Sequence, residues 1–569
     1  MSLLLNLVLF LPAAGALLLL LLPRERPAAI RAAALGISLT TFLLSLPLTW
    51  LFAPGAAGMQ FVTNAAWIAS PPIRYHVGVD GISLFLLLLI TFLTVLCVLG
   101  SWRSVQEHVK EFFFFLLLLE TGTLGVFVAV DLFLVYVFWE VTLVPMYFLI
   151  GIWGHERRVY AAFKFFLYTV VGSLLMLVGI LWLYNRSGSF DYEVIAGALS
   201  AGRMSFSRSE ELWLFLAFFG AFAIKVPLFP LHTWLPDAHV EAPTAGSVML
   251  AGVLLKMGTY GLLRFCLPLF PDASHALAPA IIALAIIGII YGSLVAMVQP
   301  DLKKLIAYSS VAHLGFVVLG IFSFNVIAVQ GALYQMLNHG VSTGTLFLLV
   351  GMIYERLHSR QISDMGGLAT PAPLLASLFL VTTLASIGLP LLNNFVGEFL
   401  ILLGTLQERT LYAAWAATGV VLSAVYMLWM YQRVFLGEAR PALHFADLDM
   451  RERAILIPAT AVMLLMGIGS PYFLNRMEPA TAALLDRTGR RVLRVQHHDV
   501  SPVTVQAVHV PDAAQSDAAC ADQRAAVTWN GGTVATHHQT FSRSAPAGRA
   551  FSAEPEGHCT RNHTTAAGL

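Results

Sequence analysis

The sequence has very little charge. Only 11% of its 569 residues are Asp, Glu, Lys or Arg, whereas 58% are hydrophobic, and the mean hydropathy is +0.77. A chain of this length cannot cover itself in water with so little polar surface. The composition therefore excludes a soluble globular protein and predicts an integral membrane protein. Because the formal net charge is only +1, it predicts neither a nucleic-acid partner nor an acidic one.

Motifs of metal, redox and nucleotide sites are also absent. No Gly-rich dinucleotide fingerprint or phosphate-binding loop occurs. The His-rich stretches HHDV, THHQT and HCTRNH lie in a polar tail, where an unstructured extension is the favoured interpretation over a metal site. We therefore expect no cofactor and no metal in this chain. The four cysteines, none in CxxC or Cys/His spacing, are Cys97, Cys266, Cys520 and Cys559.

Apolar runs of about 20 residues, the length that crosses a ~30 Å hydrocarbon core, follow one another along the chain. They predict an all-α polytopic membrane protein with about 14 spans. The first run has no basic region before it and no small-residue cleavage site after it, so we expect a span and not a signal peptide. The predicted spans are 3–22, 30–52, 80–100, 112–130, 132–151, 161–184, 211–230, 244–265, 276–298, 303–322, 326–353, 372–401, 408–436 and 455–474.

The loops between these spans differ in their content of Lys and Arg. One set of alternate loops holds sixteen such residues and the other holds six. Because cationic loops stay cytoplasmic, both termini are predicted on the outer, periplasmic side of a bacterial inner membrane. The poorer set comprises Arg74, Arg186, Arg203, Arg208, Arg264 and Arg409.

Matching stretches predict an internal repeat. GSLLMLVG at 172–179 and GTLFLLVG at 344–351 agree in five of eight positions, and IKVPLF at 224 matches IGLPLL at 387 at a similar offset. We therefore expect two five-helix units, spans 4–8 and 9–13, the second inverted relative to the first. Each unit carries a span broken by proline, at Pro227 and Pro390. Such breaks are tolerated where they line a polar path.

The predicted organisation has five parts. After about residue 476 the chain becomes rich in Ala, Ser, Thr, His and Arg without an apolar period, which is typical of a disordered tail. The parts are 1–110 with spans 1–3, 111–265 with the first unit, 266–436 with the second, 437–475 with span 14, and the tail 476–569.

Titratable residues inside the spans are the candidate functional groups. Of the six lysines, Lys225 and Lys256 lie deep within spans, where an ionised side chain costs about 2.5–3.5 kcal/mol or more. A row of acids, bases and histidines at similar depth suits proton transfer. For any single member, a static ion pair is the alternative. The other candidates are Glu120, Glu140, His232, His313, His339 and Glu398, while His239, nearer a polar loop, is predicted to be structural.

A Glu140–Lys225 pair across neighbouring spans is the predicted switch. When the pair is closed, Glu140 holds Lys225 in its charged form. When the pair is open, desolvation of Lys225 favours release of its proton. Moving one charge through 100 mV takes about 2.3 kcal/mol. Making or breaking a buried ion pair supplies an energy of that size, so the pair is adequate for the task.

Several stretches resemble one known family. FWEVTLVPMYFLIGIWG, AIKVPLFPLHTWLPDAHVEAPTAGSVMLAGVLLKMGTYGLLR, DLKKLIAYSSVAHLGF and NNFVGEFLIL are similar to the M-type (chain 4) membrane subunits of proton-pumping NADH:quinone oxidoreductase, respiratory complex I. The resemblance covers residues 1 to about 475. It implies fourteen helices with inverted five-helix repeats and proton translocation coupled to electron transfer in other subunits.

The resemblance also implies roles and partners. Glu140 would pair with Lys225, Lys256 would be the middle relay, and Glu398 would release protons outward. His232, His313 and His339 match positions of polar relay groups in the family. FMN, iron–sulfur clusters and quinone are expected in partner subunits, among which L-type and N-type antiporter-like subunits would be the neighbours in the bilayer.

Three alternatives stay open. The D-type subunit of multisubunit Na⁺/H⁺ antiporters is the nearest, but its usual span-12 group, like that of the L-type and N-type subunits, is lysine, where this chain has Glu398. Membrane subunits of energy-converting hydrogenases are a more distant match. A scaffold whose buried charges are static ion pairs would need no proton path at all.

Overall fold

Long helices make up most of the computed structural model, which describes residues 1–437 and 445–498. Each predicted span falls on a helix or a pair of helices, so the predicted all-helical polytopic fold is confirmed. The helices of the predicted spans and of the segment that follows them are α1 (Ser2–Leu21), α2 (Pro27–Leu51), α3 (Leu84–Ser104), α4 (Val109–Val128), α5 (Leu132–Trp153), α6 (Arg158–Ser187), α7a (Arg208–Lys225), α7b (Trp234–Glu241), α8 (Thr244–Leu269), α9 (Pro271–Met297), α10 (Leu302–Phe322), α11 (Val326–Leu357), α12a (Pro373–Ser386), α12b (Asn393–Glu408), α13 (Thr410–Phe435), α14 (Met450–Ile468) and α15 (Ser470–His498). A short α-helix, Tyr192–Ser200, follows α6, and a 3₁₀ helix, Ile362–Asp364, follows α11.

The number of helices that could each cross a membrane is smaller than fourteen. Within the described residues, eleven are long and apolar enough, and α14 with α15 forms a further pair bent by 67°. The helix α7a is only 18 residues long and carries four charged residues. The two halves of span 12, α12a and α12b, have 14 and 16 residues. Broken and charged segments thus account for the difference.

Both predicted helix breaks are present. The chain leaves α7a at Lys225 and passes through Pro227 and Pro230 before α7b begins. Proline lacks an N–H and clashes with the preceding turn, so the helix cannot continue. In span 12, Pro390 and Gly388 lie between the halves, and Gly388 has φ of +77°, a left-handed conformation that favours glycine. The Trp234 indole donates to the Ile224 carbonyl at 2.9 Å and so satisfies a group near the first break.

A β-hairpin between α2 and α3 was not predicted. Its strands, β1 (Gln60–Ile68) and β2 (Ile73–Val79), pair antiparallel across a turn at two consecutive prolines. His76 Nδ1 lies 2.7 Å from Asp191 Oδ2, and its carbonyl accepts from the backbone N–H of Val130. Burial acts to raise the pKa of Asp191, but the hydrogen bond and charge of His76 and the neighbouring backbone N–H groups lower it overall. These contacts fix the hairpin to the loop before α5 and to the loop after α6.

The predicted tail is wrong over its first part. Residues 476–498 belong to α15, and the remainder of the tail, 499–569, lies outside the described residues. Phe473, Met477, Ala480 and Leu484 recur at the helical period and turn inward, with Phe473 packing 4.8 Å from the ring of Phe85. The helix is too polar to form a long apolar run, so a search for spans overlooked its one apolar face.

Arg264 is a second correction. The loop count places it in an outer loop, but it lies inside α8, where its Nη2 pairs with Asp80 Oδ1 at 2.5 Å. Both side chains are buried. A buried arginine can be tolerated because the carboxylate and the Tyr260 hydroxyl accept its hydrogen bonds.

The contact of α15 with Gly81 gives a test of the corrected tail. A Cβ at Gly81 would meet the Arg476 carbonyl oxygen of α15 at 2.1 Å. We expect Gly81→Ala to push α15 away and to lower the thermal unfolding temperature, because overpacking costs about 1–3 kcal/mol. Gly58→Ala is the matched control, since nothing lies within 4 Å of a Cβ there. Equal unfolding temperatures for both variants would contradict this packing.

Candidate functional site

Lys225 is a buried cation at the end of α7a. Its side chain is 1% exposed, and its Nζ has no hydrogen-bond partner within the described part of the chain. Two aromatic faces lie beside it: Nζ is 5.5 Å from the ring centre of Trp139 and 5.2 Å from that of Phe165. Cation–π contacts of this kind stabilise an ammonium only in part. Lys225 is therefore a base without a fixed counterion.

Glu140 is the acidic group that faces Lys225. It lies on α5, next to Trp139, and its charge acts on Lys225. No direct ion pair joins the two among the ion pairs of the described residues, and the Oε1 atom of Glu140 is buried without a hydrogen-bond partner. Glu140 therefore acts on Lys225 without forming a salt bridge with it, and the switch that the two would form stays a prediction.

Lys256 lies in the middle of α8 and is fully buried. Its Nζ donates to the Ala251 carbonyl and lies 2.6 Å from His339 Nδ1. Two π-helical turns, Leu250–Leu254 and Leu262–Cys266, flank the α-helical stretch that carries Lys256. Ala251 belongs to the first π turn, and such turns occur frequently at functional sites. The irregular backbone therefore presents a carbonyl to the lysine within its own helix.

His339 and His313 continue from Lys256 toward Glu398. The two imidazole rings are 5.8 Å apart, and each Nε2 is buried without a hydrogen bond to any described residue. His313 Nδ1 lies 2.8 Å from Glu398 Oε1, which also accepts from Gln335 Nε2 at 2.9 Å. We call Lys256, His339, His313 and Glu398 the relay row. It crosses α8, α11, α10 and α12b and is interrupted only between the two rings.

The other two predicted relay residues lie outside the relay row. Glu120 on α4 is fully buried, and neither carboxylate oxygen has a hydrogen-bond partner among the described residues. His232 lies in the break between α7a and α7b, with its ring 5.3 Å from that of Tyr291. His239, predicted to be structural, stacks on Phe347 at 4.6 Å. No hydrogen bond joins Glu120 or His232 to the relay row in the described residues.

Two buried polar residues were not predicted from the sequence. Gln335 is fully buried and donates a hydrogen bond to Glu398. The feature of the sequence that could have revealed it is an amide side chain within a predicted span. Lys303 was assigned to a loop, but it is buried in the first turn of α10 and donates to the Ala242 carbonyl after α7b. Successive residues of an α-helix point about 100° apart, so the adjacent residues Lys303 and Lys304 cannot both face fully outward.

Nothing in the described residues assembles a metal site. No group of three or more His, Cys, Asp or Glu side chains is placed to hold an ion there. The relay row contains instead two histidines, one lysine and one glutamate in pairwise contact. These are groups that accept and donate protons without a bound cofactor.

Comparison with known proteins agrees with this arrangement. The family model described as NADH:quinone oxidoreductase/Mrp antiporter, transmembrane, matches residues 129–424. The chain is 47% identical over 495 residues to NADH-quinone oxidoreductase subunit M of Rhodobacter capsulatus, covering 85% of this chain and 96% of the relative.

Solved structures have the same fold. A chain of respiratory complex I from Thermus thermophilus with bound NADH superposes with a TM-score of 0.78 at 35% identity, covering 85% of this chain and all of that one. A chain of the Mrp complex from Dietzia sp. DQ12-45-1b has a TM-score of 0.74, covering 87% of this chain and all of that one, but at 21% identity it shows the fold alone. The chain therefore belongs to the family of NADH:quinone oxidoreductase subunit M, within the antiporter-like membrane proteins.

Proposed function

We propose that this chain is a proton-translocating membrane-arm subunit of an NADH:quinone oxidoreductase. The observation that carries the proposal is the relay row: four titratable side chains from four helices, buried and in sequence. An imidazole can both accept and donate a proton, so His339 and His313 suit the steps between Lys256 and Glu398. The family of the chain supports the same function.

In this proposal Lys225 is the site from which protons enter the relay row. The α8 backbone lies against the end of α7a, because a Cβ at Gly258 would be 3.1 Å from the Lys225 carbonyl carbon and 2.8 Å from the Val226 nitrogen. Only glycine permits so close an approach here. Lys225 and Lys256 therefore project from neighbouring helices near one contact point.

The switch in this proposal is the open Glu140–Lys225 pair. When Glu140 approaches, Lys225 is held charged, and when it withdraws, the apolar surroundings of Lys225 favour the neutral amine. A proton leaving Lys225 would pass to Lys256, then through His339 and His313 to Glu398. A buried pair that forms or breaks changes the energy of the charged state by several kcal/mol, against about 2.3 kcal/mol needed per charge and 100 mV.

The energy for pumping comes, on this proposal, from partner subunits. We assign FMN, iron–sulfur clusters and quinone to those partners, in keeping with the family to which the chain belongs. The L-type and N-type antiporter-like subunits would be its neighbours in the membrane arm. The bias of Lys and Arg toward one set of loops supports an orientation with both termini on the periplasmic side of a bacterial inner membrane.

The site and the boundaries of the two five-helix units are part of the same proposal. Helices α4–α8 and α9–α13 would be the two inverted units, predicted at 111–265 and 266–436, each with its broken helix in fourth position. Because α8 ends at Leu269, the boundary between the units would lie a few residues later than predicted. Glu120 and His232 would be accessory relay groups. The Na⁺/H⁺ antiporter alternative has less support, since the likeness to the Mrp chain is confined to the fold.

Replacing Lys225 tests the switch. Lys225→Ala removes the buried amine that would accept the proton, and a charge at that depth without such a group costs about 2.5–3.5 kcal/mol. We therefore expect proton pumping by the intact complex to fall roughly 100-fold. Proton uptake by membrane vesicles during NADH oxidation is the measurement. Arg208→Gln, an exposed cation at the start of the same helix, is the control and should pump normally. Normal pumping by Lys225→Ala would refute the switch.

Replacing Glu398 tests the end of the relay row. Glu398→Gln keeps an acceptor for Gln335 but removes the carboxylate that pairs with His313, so we expect at least a tenfold loss of proton release. Glu408→Gln, on the exposed end of the same helix, is the matched variant. The account requires the two variants to differ in protons released per NADH oxidised while assembling equally well.

A further inference from the structure

Two aromatic rings lie beside the Lys225 ammonium, one from each of two neighbouring helices. Trp139 belongs to α5 and Phe165 to α6, and both side chains are buried. Each ring centre is near enough to Lys225 Nζ for a cation–π contact, whose range is about 6 Å. We call Trp139 and Phe165 the aromatic cage. The cage presents two negative ring faces to a buried amine that has neither a hydrogen bond nor a salt bridge within the described residues.

Further aromatic contacts hold the aromatic cage in place. The ring of Trp139 lies 5.6 Å from that of Phe222, and the ring of Phe165 lies 5.4 Å from that of Trp234. Phe222 is in α7a, three residues before Lys225, and Trp234 is the first residue of α7b. Each cage ring therefore packs against one side of the helix break. The cage stays beside Lys225 through contacts that do not depend on any ion pair.

Opening a buried Glu–Lys pair has an easy but unproductive route. The ammonium of Lys225 can return a proton to the carboxylate of Glu140, so that an N–H bond breaks and an O–H bond forms. The products are a neutral amine and a neutral acid, and neither has to stay in an apolar site as an unpaired charge. A proton returned in this way does not advance to Lys256. A productive opening must therefore keep the proton on Lys225 while Glu140 withdraws.

The aromatic cage favours the productive route. The negative face of an aromatic ring attracts an ammonium but not a neutral amine, so the cage stabilises Lys225 only in its charged form. Such contacts are stronger at a desolvated site than at an exposed one, yet weaker than a buried salt bridge. They suffice to retain a proton for a time without trapping it. Because Trp139 directly precedes Glu140, helix α5 supplies both the acid and one ring of the cage.

We propose that Trp139 and Phe165 are positioning residues of the proton-transfer step: the aromatic cage holds the Lys225 ammonium once Glu140 has withdrawn. The proton of Lys225 then passes to Lys256 instead of back to Glu140. The inference rests on the proposed function. It assigns to the two rings the part that a second counterion would otherwise have to play.

Fluorinated phenylalanines at position 165 test the aromatic cage with little change in packing. Fluorine withdraws electron density from the ring face, so mono-, di- and trifluorophenylalanine weaken the attraction for a cation in steps. We expect the protons pumped per NADH oxidised to fall in the same steps, roughly tenfold with three fluorines. The measurement uses the intact complex in sealed membrane vesicles, with assembly checked by native electrophoresis.

The control for this series is Phe163, an exposed ring on the same helix. The same three fluorinated residues at position 163 should pump as the unmodified complex does. Equal pumping across the series at position 165, or an equal decline at both positions, would overturn the aromatic cage.

Substitutions of Trp139 separate a cation–π role from the filling of space. Trp139→Phe keeps a ring face toward Lys225, so we expect most of the pumping to remain. Trp139→Leu keeps an apolar side chain without a ring face, and we expect a roughly tenfold loss. Equal losses in the two variants would show a packing role alone and would contradict the proposal.

Infrared difference spectroscopy shows where the proton goes when the aromatic cage is weakened. With trifluorophenylalanine at position 165, we expect the C=O stretch of a protonated Glu140 to appear during NADH oxidation. Its loss in Glu140→Gln assigns the band. A loss of pumping without this band would mean that the cage does not keep the proton from Glu140, and the inference would fail.

The outcomes distinguish this inference from the proposed function. Normal pumping by Lys225→Ala would refute the function itself. A pumping defect in Lys225→Ala together with unchanged pumping across the fluorinated series at position 165 would refute the aromatic cage alone.

Discussion

Ionisable side chains held inside apolar helices without enough partners are the constraint on which the rest of this structure depends. A buried charge is tolerated when it is paired and hydrogen-bonded, as Arg264 is with Asp80. Lys225 has aromatic faces beside it and no salt bridge to Glu140, and Glu120 has no hydrogen-bond partner among the described residues. Such groups gain little by staying charged. They are therefore the places where a proton can be taken up or released at small cost.

Breaks and irregular turns are what let the helices hold these groups close together. Proline ends α7a beside Lys225, a π turn presents the Ala251 carbonyl to Lys256, and Gly258 lets the two helices touch. Each departure from regular helix lies within a few residues of a lysine. Irregular backbone and buried ionisable side chains coincide here because irregular backbone at membrane depth is stable only beside polar partners. The same logic explains the second break near Glu398.

The sequence sufficed for most of the candidate site, because an ionisable residue in a long apolar run is conspicuous. Glu398, His313, His339 and Lys256 were all predicted, but their order of contact was not, since it depends on which helix faces meet. Arg264 and Lys303 were misassigned because hydropathy does not show the rotation of a helix near its end. The β-hairpin and α15 were overlooked because neither forms a long apolar run. Their stability comes from tertiary contacts, such as Phe473 on Phe85 and His76 with Asp191.

The central claim is that Glu398 receives protons that have passed Lys256 and the two histidines. Infrared difference spectroscopy of the intact complex during NADH oxidation follows this directly, through the C=O stretch of a protonated carboxyl, assigned to Glu398 by its loss in Glu398→Gln. The account predicts that this band changes during turnover and that Lys256→Ala abolishes the change. A band that stays constant during turnover, or that changes equally in Lys256→Ala, would contradict the relay row.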